Sequence, residues 1–337
     1  MRLLSSVRGL LLALVLVGVL PSFAILSWAG HHQRRLLVAR VEADALDLAR
    51  LVAERHQRAV DRARGLLVGV STLPSLRRLD GAACSAEVRR IVRTAPLYAN
   101  VGGVGLDGRL FCSAAPSAAP VYLSDRSHVR GPLDRGEFTV GSYMVSRTRG
   151  FGSLGFGQPV YDDAGRVTAV AVASFDLRQL QRDLDELPLP EGAEVVVVDK
   201  DGIVATARPA VGTGAPLDPR LLAPLRGGES VAEVDGLDGV RRVYGFVPVV
   251  AGAGQVVLRV AAGVPAAQAW APVNRVLRQS TFAWLAVAIL AVLTALLVGE
   301  RLVVRRLRAV VVASRRIAAG DDSARTGLPP GRDEIGE

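Results

Sequence analysis

The chain has 337 residues, of which 50% are hydrophobic, and it carries a formal net charge of +9. Its mean hydropathy of +0.31 is high for a water-soluble protein, and its length is sufficient for two or three domains. The positive charge raises the question of nucleic-acid binding, but no aromatic-rich basic patch or zinc-finger spacing accompanies it. Nucleic acid is therefore excluded as a partner, and membrane lipid is expected to meet much of the basic excess.

Two uncharged apolar segments dominate the hydropathy, one at residues 9–30 and one at residues 280–299. Each is long enough to cross the hydrocarbon core of a membrane as a helix, which takes about 20 residues. Trp28 and Trp284 lie near the ends of these segments, where indole rings favour the membrane interface. We therefore predict two transmembrane helices. A cleaved signal peptide is the alternative interpretation of the first, because arginines precede its apolar core.

The arginines beside the second segment predict the orientation of the chain. They are concentrated just after that segment, at positions 301, 305, 306, 308, 315 and 316, and such clusters mark the cytoplasmic side. Two crossings place both termini on one side. We predict an inner (plasma) membrane protein with a cytoplasmic N-terminus at residues 1–8, a periplasmic segment at residues 31–279 and a cytoplasmic segment at residues 300–337.

The periplasmic segment opens with a long amphipathic helix. From Leu37 to Val70, apolar residues recur at intervals of three, four or their sum, and charged residues occupy the other faces. The helix is predicted to continue from the first transmembrane helix and to stop at Pro74. Because it is too long for one compact domain to cover, we expect it to form the stalk of a homodimer.

Short apolar runs, separated by turns rich in glycine and in most cases aspartate, follow this helix and predict β-hairpins. The paired runs are residues 101–106 with 110–113, 158–161 with 167–177, 194–198 with 203–206, and 242–250 with 255–261. The fold class is therefore α+β, with a distal module at about 75–180 and a proximal module at about 190–265. We expect a linker near Leu180–Pro190, and a central strand with one covered face from Val167 to Leu177.

The only two cysteines, Cys84 and Cys112, both lie in the predicted periplasmic segment. Two cysteines in one domain outside the cytoplasm most simply form a disulfide with each other. The alternative is two free, buried thiols. Closing a loop of this length would stabilise the fold by roughly 3–4 kcal/mol on the chain-entropy model.

This order of elements resembles the double Cache sensor domains of bacterial transmembrane receptors. The most specific local match is Asp125–Arg130, followed by Gly141–Tyr143 and Phe156–Val160. The resemblance covers about residues 33–275 and implies two tandem PAS-like antiparallel modules with no catalytic centre. It also implies that the distal module holds a small-molecule ligand between its sheet and the loop that carries Asp125–Arg130.

Carried over by position, the resemblance implies a ligand site made of Arg126, His128 and Arg130 on the loop, with Tyr143 and Asp176 on strands that face it. An arginine offers two parallel donors to a carboxylate, and a tyrosine offers a hydroxyl on an apolar body. An aspartate would accept hydrogen bonds from an ammonium group. An amino acid or another small carboxylate suits this set. The alternative is a solvated loop for the arginines and a strand-end carboxylate for Asp176.

The cytoplasmic segment resembles a HAMP signal-relay module. Its heptad seam consists of Leu307, Val310, Ser314 and Ile317, Gly320 ends the helix, and the acidic start of a second helix is Asp333, Glu334, Ile335 and Gly336. The resemblance implies a parallel coiled coil in a homodimer. Because the second helix is cut short, we expect an N-terminal portion of a receptor, or a truncated product, that works with a cytoplasmic output domain or signalling partner.

No catalytic motif, metal-ligand spacing or dinucleotide fingerprint occurs in the sequence, so we predict no catalytic residues, no metal and no cofactor. The leading hypothesis is a ligand-gated transmembrane receptor. One alternative is the sensor portion of an enzyme, a histidine kinase or a diguanylate cyclase, whose catalytic domain lies outside this sequence. The other is a membrane-anchored binding or scaffold protein without a signalling switch.

Overall fold

The computed structural model describes residues 7–117, 119–252, 254–320, 323 and 327. These residues belong to two units, one formed by Arg40–Trp270 and the other by the remainder of the chain. The first unit contains two antiparallel sheets and the helices that pack on them.

The distal module is built on five strands: β1 (Tyr98–Gly105), β2 (Leu110–Ser113), β3 (Thr139–Val145), β4 (Gly152–Tyr161) and β5 (Val167–Asp176). They are antiparallel to their neighbours in the spatial order β2-β1-β5-β4-β3. Three helices accompany them: α2 (Pro74–Arg77), α3 (Gly81–Thr94) and α4 (Ser127–Arg135). The segment from Ser127, which we expected to be a loop, is therefore a helix.

The proximal module repeats this plan with β6 (Glu194–Asp199), β7 (Val204–Arg208), β8 (Ser230–Asp235), β9 (Arg241–Ala251) and β10 (Gln255–Pro265). The spatial order β7-β6-β10-β9-β8 is the distal order with every strand advanced by one module, so the two sheets share one topology. Its helices are α5 (Leu177–Asp185), which precedes the sheet, and α6 (Pro219–Leu225). The prediction of two tandem antiparallel modules is confirmed.

Helix α5 occupies the first half of the segment that we expected to be a linker. Its leucines at positions 177, 180 and 184 are buried on one face, and Asp176 caps its N-terminus by accepting a hydrogen bond from the backbone N–H of Arg178. The prolines at 188 and 190 follow the helix rather than a strand. In this segment the helical spacing of the leucines therefore predicts the structure better than the prolines, which had suggested a linker.

The central strand β5 is covered on both faces, and not on one as expected. Ala169, Ala171 and Ala173 belong to one hydrophobic cluster, whereas Val170 and Val172 belong to another with Val129 of α4. The small alternating residues reflect close packing on either side.

A single helix, α1 (Val7–Ser71), provides the wall on which both sheets pack. It ends shortly before Pro74, as predicted. Its buried stripe consists mostly of small residues: Ala49, Val52, Ala53, Ala59, Val60, Ala63, Leu67 and Val70. These residues form one apolar cluster with residues of both sheets, including Phe156 of the distal sheet and Val197 of the proximal sheet.

Cys84 of α3 and Cys112 of β2 form a disulfide in the structure, with their Cα atoms 5.7 Å apart. Both residues are fully buried. Gly81 allows α3 to approach the sheet, because a Cβ at this position would overlap the carbonyl oxygen of Phe111. The disulfide therefore attaches α3 to the edge strand β2.

Strand β10 leads directly into α7 (Ala266–Val298), a π-helical turn (Gly299–Val304) and α8 (Arg305–Ala318). Within the described residues, one helical segment, Ala266–Thr294, is long and apolar enough to cross a membrane, with a mean hydropathy of 1.8. It overlaps the second predicted span. The first predicted span is helical as part of α1, and its side chains lie outside the described residues.

Helix α8 carries the predicted seam residues Val310, Ser314 and Ile317, all of which are exposed in the single chain. Gly320 follows the helix with a φ of 93°, as expected of a helix-ending glycine. The side chain of Leu307 and all of Asp333, Glu334, Ile335 and Gly336 lie outside the described residues.

A buried charged network closes the α6 face of the proximal sheet. The Tyr244 hydroxyl donates to Glu194 at 2.7 Å, and the Arg242 guanidinium lies 3.3 Å from the same carboxylate. The second carboxylate, Asp238, accepts from Arg242 at 2.7 Å, and this hydrogen bonding holds the pKa of Asp238 well below its ordinary value. The backbone N–H of Leu237 completes the set at 3.1 Å from Glu194. Each of these charges is therefore paired.

We expect Tyr244→Phe to lower the free energy of unfolding by roughly 1.5–3 kcal/mol, because it removes a donor from a buried carboxylate. The measurement is chemical denaturation of the purified chain. Tyr161→Phe is the matched control, since that hydroxyl also donates at 2.7 Å, to Gly136, but belongs to an exposed residue. Its loss should cost less than about 1 kcal/mol, because water replaces the bond. Equal effects of the two substitutions would contradict the network's role.

Candidate functional site

Helix α4 lies directly against the distal sheet because glycines leave room for it. A Cβ at Gly155 would overlap the His128 ring, and a Cβ at Gly157 would overlap the His128 carbonyl oxygen. A Cβ at Gly141 would lie 3.0 Å from Nδ1 of His128. Gly155 and Gly157 of the glycine-rich stretch thus make room for His128, which is only 3% exposed.

A cavity lies at the end of this helix–sheet interface, and we call it the distal cavity. Its volume is about 30 Å³, which admits one or two water-sized groups in this conformation. It is lined by polar and apolar side chains from the sheet, from α4 and from the loops beside them: Asn100, Leu110, Leu123, Arg126, His128, Met144, Ser146, Arg147, Thr148, Val172, Ala173 and Ser174. Two of the predicted ligand residues, Arg126 and His128, are therefore brought together here.

The two arginines of the distal cavity differ in how many of their N–H groups already donate hydrogen bonds. Arg147 makes a two-pronged pair with Asp125 at 2.7 and 2.9 Å, and these hydrogen bonds lower the pKa of the Asp125 carboxyl. Arg126 has a buried Nε without a hydrogen-bond partner among the described residues, 3.6 Å from Asp125. Arg126 is therefore the residue with donor capacity left for an anionic ligand.

The opposite wall of the distal cavity is neutral and polar. Asn100 donates to the Thr148 hydroxyl at 3.4 Å, and its carbonyl oxygen accepts from the Ser113 hydroxyl at 3.1 Å. The hydroxyls of Ser146 and Thr148 lie 3.2 Å apart. Hydroxyls rotate to act as donors or acceptors, so this wall suits a ligand that carries both kinds of group.

Tyr143 does not face the distal cavity. Its hydroxyl lies close to Gly152 and to Gly214 of the proximal module, where an added Cβ would come within 2.9 and 2.7 Å of it. The pairing of β3 with β4 shifts between Val140 and Tyr143, and this bulge turns Met144 toward the cavity in place of Tyr143. One extra residue in a strand exchanges the two faces beyond it.

The remaining predicted ligand residues also lie away from the distal cavity. Arg130 is exposed on α4. Asp176 caps α5, and its carboxylate accepts from the Arg178 guanidinium at 2.8 and 3.0 Å. Its bonds are those of a strand-end capping residue. Within the described part of the chain, no group of three or more His, Cys, Asp and Glu residues is placed to hold a metal ion.

Sequence reasoning missed Asn100, Met144, Arg147 and Thr148. A usable signal was present in the polar run Ser146–Arg149, which directly follows β3 and precedes a glycine turn. Asn100 carried no such signal, because it stands within an otherwise apolar strand. Only the pairing of β1 with β5 brings it beside the cavity.

The strand that lines the distal cavity is tied to the proximal module by a buried carboxylate. Asp199, which is fully buried, accepts a hydrogen bond from the backbone N–H of Tyr143 at 2.7 Å. Its other oxygen accepts from the N–H groups of Asp201 and Ile203, both at 2.9 Å, which fixes the β6–β7 turn. The Ser142 hydroxyl also donates to the Asp201 carboxylate. The backbone of β3 is therefore hydrogen-bonded directly to the end of β6.

No family model and no curated protein matches the sequence. Solved structures share its fold. The extracellular domain assigned to a histidine kinase superposes with a TM-score of 0.59 at 18% identity, over 68% of this chain and 95% of that domain. The ligand-binding domain of the Pseudomonas fluorescens chemoreceptor CtaA, in complex with L-isoleucine, gives 0.56 at 14% identity, over 71% and 98%.

A third structure, the ligand-binding domain of the Pseudomonas aeruginosa amino-acid chemoreceptor PctC in complex with GABA, gives a TM-score of 0.50 at 20% identity, over 66% of this chain and 99% of that domain. The chain therefore has the fold of the sensor domains of kinases and chemoreceptors. The predicted resemblance of residues 33–275 to bacterial sensor domains is confirmed at the level of the fold.

His128 should make the protein sensitive to acid. Burial, assisted by the charge of Arg126, lowers the pKa of His128 from 6.5 to about 4. Between these values the unfolded chain binds a proton that the folded chain does not, so stability falls as the pH falls. We expect the wild type to lose about 2 kcal/mol more than His128→Gln between pH 7 and pH 5.

Urea denaturation at the two pH values measures this difference. His56, whose pKa burial also lowers, is present in both proteins and cancels in the comparison. Equal losses in the wild type and His128→Gln would show that His128 takes up its proton in the folded state.

Proposed function

We propose that the chain is a transmembrane receptor that senses a small carboxylate or amino-acid-like ligand in its distal module and relays a conformational change across the membrane. The observation that carries this proposal is the half-buried Arg126, whose buried Nε has no hydrogen-bond partner among the described residues, in a polar cavity of a sensor-type fold. Two proteins of this fold bind L-isoleucine and GABA, which share a carboxylate. Arg126 offers the donors that a carboxylate requires.

Ligand entry requires the distal cavity to open. A volume of about 30 Å³ is far below the 300 Å³ or more of typical ligand pockets. The wall formed by Arg126 and Arg147 is held by the ion pairs with Asp125, whereas Asn100 and Ser174 belong to the paired strands β1 and β5. The wall of Arg126 and Arg147 is therefore the one that moves, and β3, which ends two residues before Arg147, moves with it. A ligand that binds only the open form shifts the population toward it.

The relay begins at Asp199. Met144 and Ser146 line the distal cavity on and beside β3, and the backbone of the adjacent Tyr143 is bonded to Asp199 at the end of β6. Strand β6 pairs with β10, and β10 continues into α7. Movement of β3 would thus reach the start of the apolar helix through one hydrogen bond, one strand pairing and the covalent chain.

Below the membrane we propose that α8 forms the first helix of a HAMP module in a homodimer, with Val310, Ser314 and Ile317 at its seam. Their exposure in the single chain supports a surface that a second copy covers. The fold shared with a histidine-kinase sensor domain favours the sensor portion of an enzyme as the second candidate. In that case the ligand chemistry of the distal cavity is unchanged, and a kinase or cyclase is the output.

Arg126→Gln tests the ligand site. A panel of L-amino acids, GABA and small carboxylates is screened by thermal shift on the full-length chain in detergent, because a bound ligand raises stability. For a compound that stabilises the wild type, we expect Arg126→Gln to lower affinity by roughly 30-fold or more, the effect of losing a charged hydrogen bond.

Arg130→Gln is the matched control, since this exposed arginine lies on α4, four residues after Arg126 at the N-cap, and outside the cavity. It should bind as the wild type does. Unchanged binding in Arg126→Gln, or an equal loss in Arg130→Gln, would remove Arg126 from the ligand site.

Reporter fusions test the topology. Gly150 lies in an open turn between β3 and β4, so an insertion there is tolerated sterically. We expect alkaline phosphatase to be active when inserted at Gly150 and inactive when fused after Gly320, with green fluorescent protein giving the reverse. Fluorescence from the fusion at Gly150 would place the two modules in the cytoplasm and end the receptor proposal.

A further inference from the structure

A second cavity, far larger than the distal cavity, lies between α1 and α5, and we call it the α1–α5 cavity. Its volume is about 380 Å³, within the range of small-molecule sites. Its walls come from α1, from α5 with the residues after it, and from Leu97: Arg55, His56, Arg58, Ala59, Arg62, Leu97, Leu180, Asp183, Leu184, Glu186 and Leu187. It lies on the opposite side of the distal sheet from α4, so it is separate from the proposed ligand site.

His56 lines this cavity and carries a buried hydrogen-bond acceptor that has no partner among the described residues. Its Nδ1 lies 2.9 Å from the carbonyl oxygen of Val52, which can only accept, so Nδ1 carries the proton. Nε2 then has a free lone pair, and it is buried without a hydrogen-bond partner among the described residues. The residue is 5% exposed, and burial lowers its pKa, which keeps the ring neutral at pH 7. The missing partner is a donor such as a hydroxyl group.

Three arginines one turn apart give the same cavity an anion-binding edge. Arg55, Arg58 and Arg62 fall on one face of α1, as the spacing of three and four residues requires. Arg55 donates to the backbone carbonyl of Asp183 at 3.1 Å, and Arg58 is 3.8 Å from Glu54. Within the described residues, Arg62 has neither an ion pair nor a hydrogen bond. Its guanidinium is free to bind a carboxylate.

The charge and the apolar lining define the ligand further. The lining holds three guanidinium groups and two carboxylates, Asp183 and Glu186, and Arg58 has a further carboxylate partner, Glu54, outside the lining. Arg62 has no such partner among the described residues, and its free guanidinium favours a carboxylate over an ammonium group. The leucines at 97, 180, 184 and 187, together with Ala59, supply an apolar surface for a hydrocarbon body.

We propose that the α1–α5 cavity binds a small hydroxylated monocarboxylate. The arginines of α1 hold the carboxylate, Nε2 of His56 accepts the hydrogen bond of the hydroxyl, and the leucines enclose the hydrocarbon body. Because the cavity lies between α1 and α5, a ligand here would set the position of α5 against α1. This effect would be independent of the distal cavity.

The test compares three compounds that differ in one substituent. Isothermal calorimetry on the full-length chain in detergent uses 2-hydroxy-4-methylpentanoate, 4-methylpentanoate and L-leucine, which carry a hydroxyl, a hydrogen and an ammonium group at the same carbon. We expect the hydroxy acid to bind roughly tenfold more tightly than the acid without the hydroxyl. L-Leucine should not bind in this cavity. No binding of the hydroxy acid at about 1 mM, or equal affinity of both acids, would overturn the proposal.

Variants assign the binding to this cavity. Arg62→Gln should weaken both acids by roughly tenfold, whereas Arg40→Gln, at an exposed arginine of α1 outside the cavity, should leave them unchanged. His56→Leu should abolish the preference for the hydroxy acid, and His56→Gln, which keeps an acceptor, should retain part of it. If His56→Leu does not give a cooperative melting transition, the Arg62→Gln and Arg40→Gln pair decides alone, since both are exposed residues.

Arg126→Gln separates this proposal from the one on the distal cavity. It should leave binding of the hydroxy acid unchanged. If Arg126→Gln abolishes that binding and Arg62→Gln does not, the hydroxy acid occupies the distal cavity, and the α1–α5 site is rejected while the receptor proposal stands.

Discussion

Both modules depend on one helix for the burial of one face of their sheets. The stripe on α1 consists mainly of alanine and valine, so the helix axis approaches the strands more closely than leucines would permit. On β9, Gly245 permits the same contact, because a Cβ there would overlap the carbonyl oxygen of Ala45. One apolar cluster therefore includes α1 and parts of both sheets.

The two modules share a topology but treat the outer face of the sheet differently. In the proximal module, Glu194, Arg242, Tyr244 and Asp238 satisfy one another beneath α6. In the distal module, the corresponding face holds a cavity lined by Arg126, whose buried Nε has no hydrogen bond to any residue that the structure describes. A satisfied network favours a rigid structure, whereas an unsatisfied donor favours a state in which a ligand supplies the missing acceptor. This difference is why the proposed ligand site belongs to the distal module.

The proposed site and the proposed relay are joined by a backbone contact that no side-chain pattern reveals. Asp199 binds the N–H of Tyr143, and the same carboxylate fixes the β6–β7 turn. The two cavities lie on opposite sides of the distal sheet, one beneath α4 and one beside α1. In the proposed receptor, the sheet is therefore the element on which both ligands would act.

The sequence by itself determined the α+β class, the long amphipathic helix, the hairpins with their Asp/Gly turns, the two antiparallel modules and the pairing candidates Cys84 and Cys112. These features follow from local periodicity, from turn chemistry and from residue counts, all of which are readable along the chain. The sequence also predicted Arg126 and His128 as ligand-site residues, because the motif around them resembles that of known sensor domains.

Only the tertiary structure decided which of the other predicted ligand residues line the distal cavity. Because of the bulge after Val140, Met144 and not Tyr143 lines the distal cavity. Asp176 lies away from this cavity because its carboxylate caps α5. The pairing of distant strands brought in Asn100, and the packing of α5 on α1 created the cavity around His56. Strand register and helix packing depend on contacts between residues far apart in sequence, and local patterns leave those contacts undetermined.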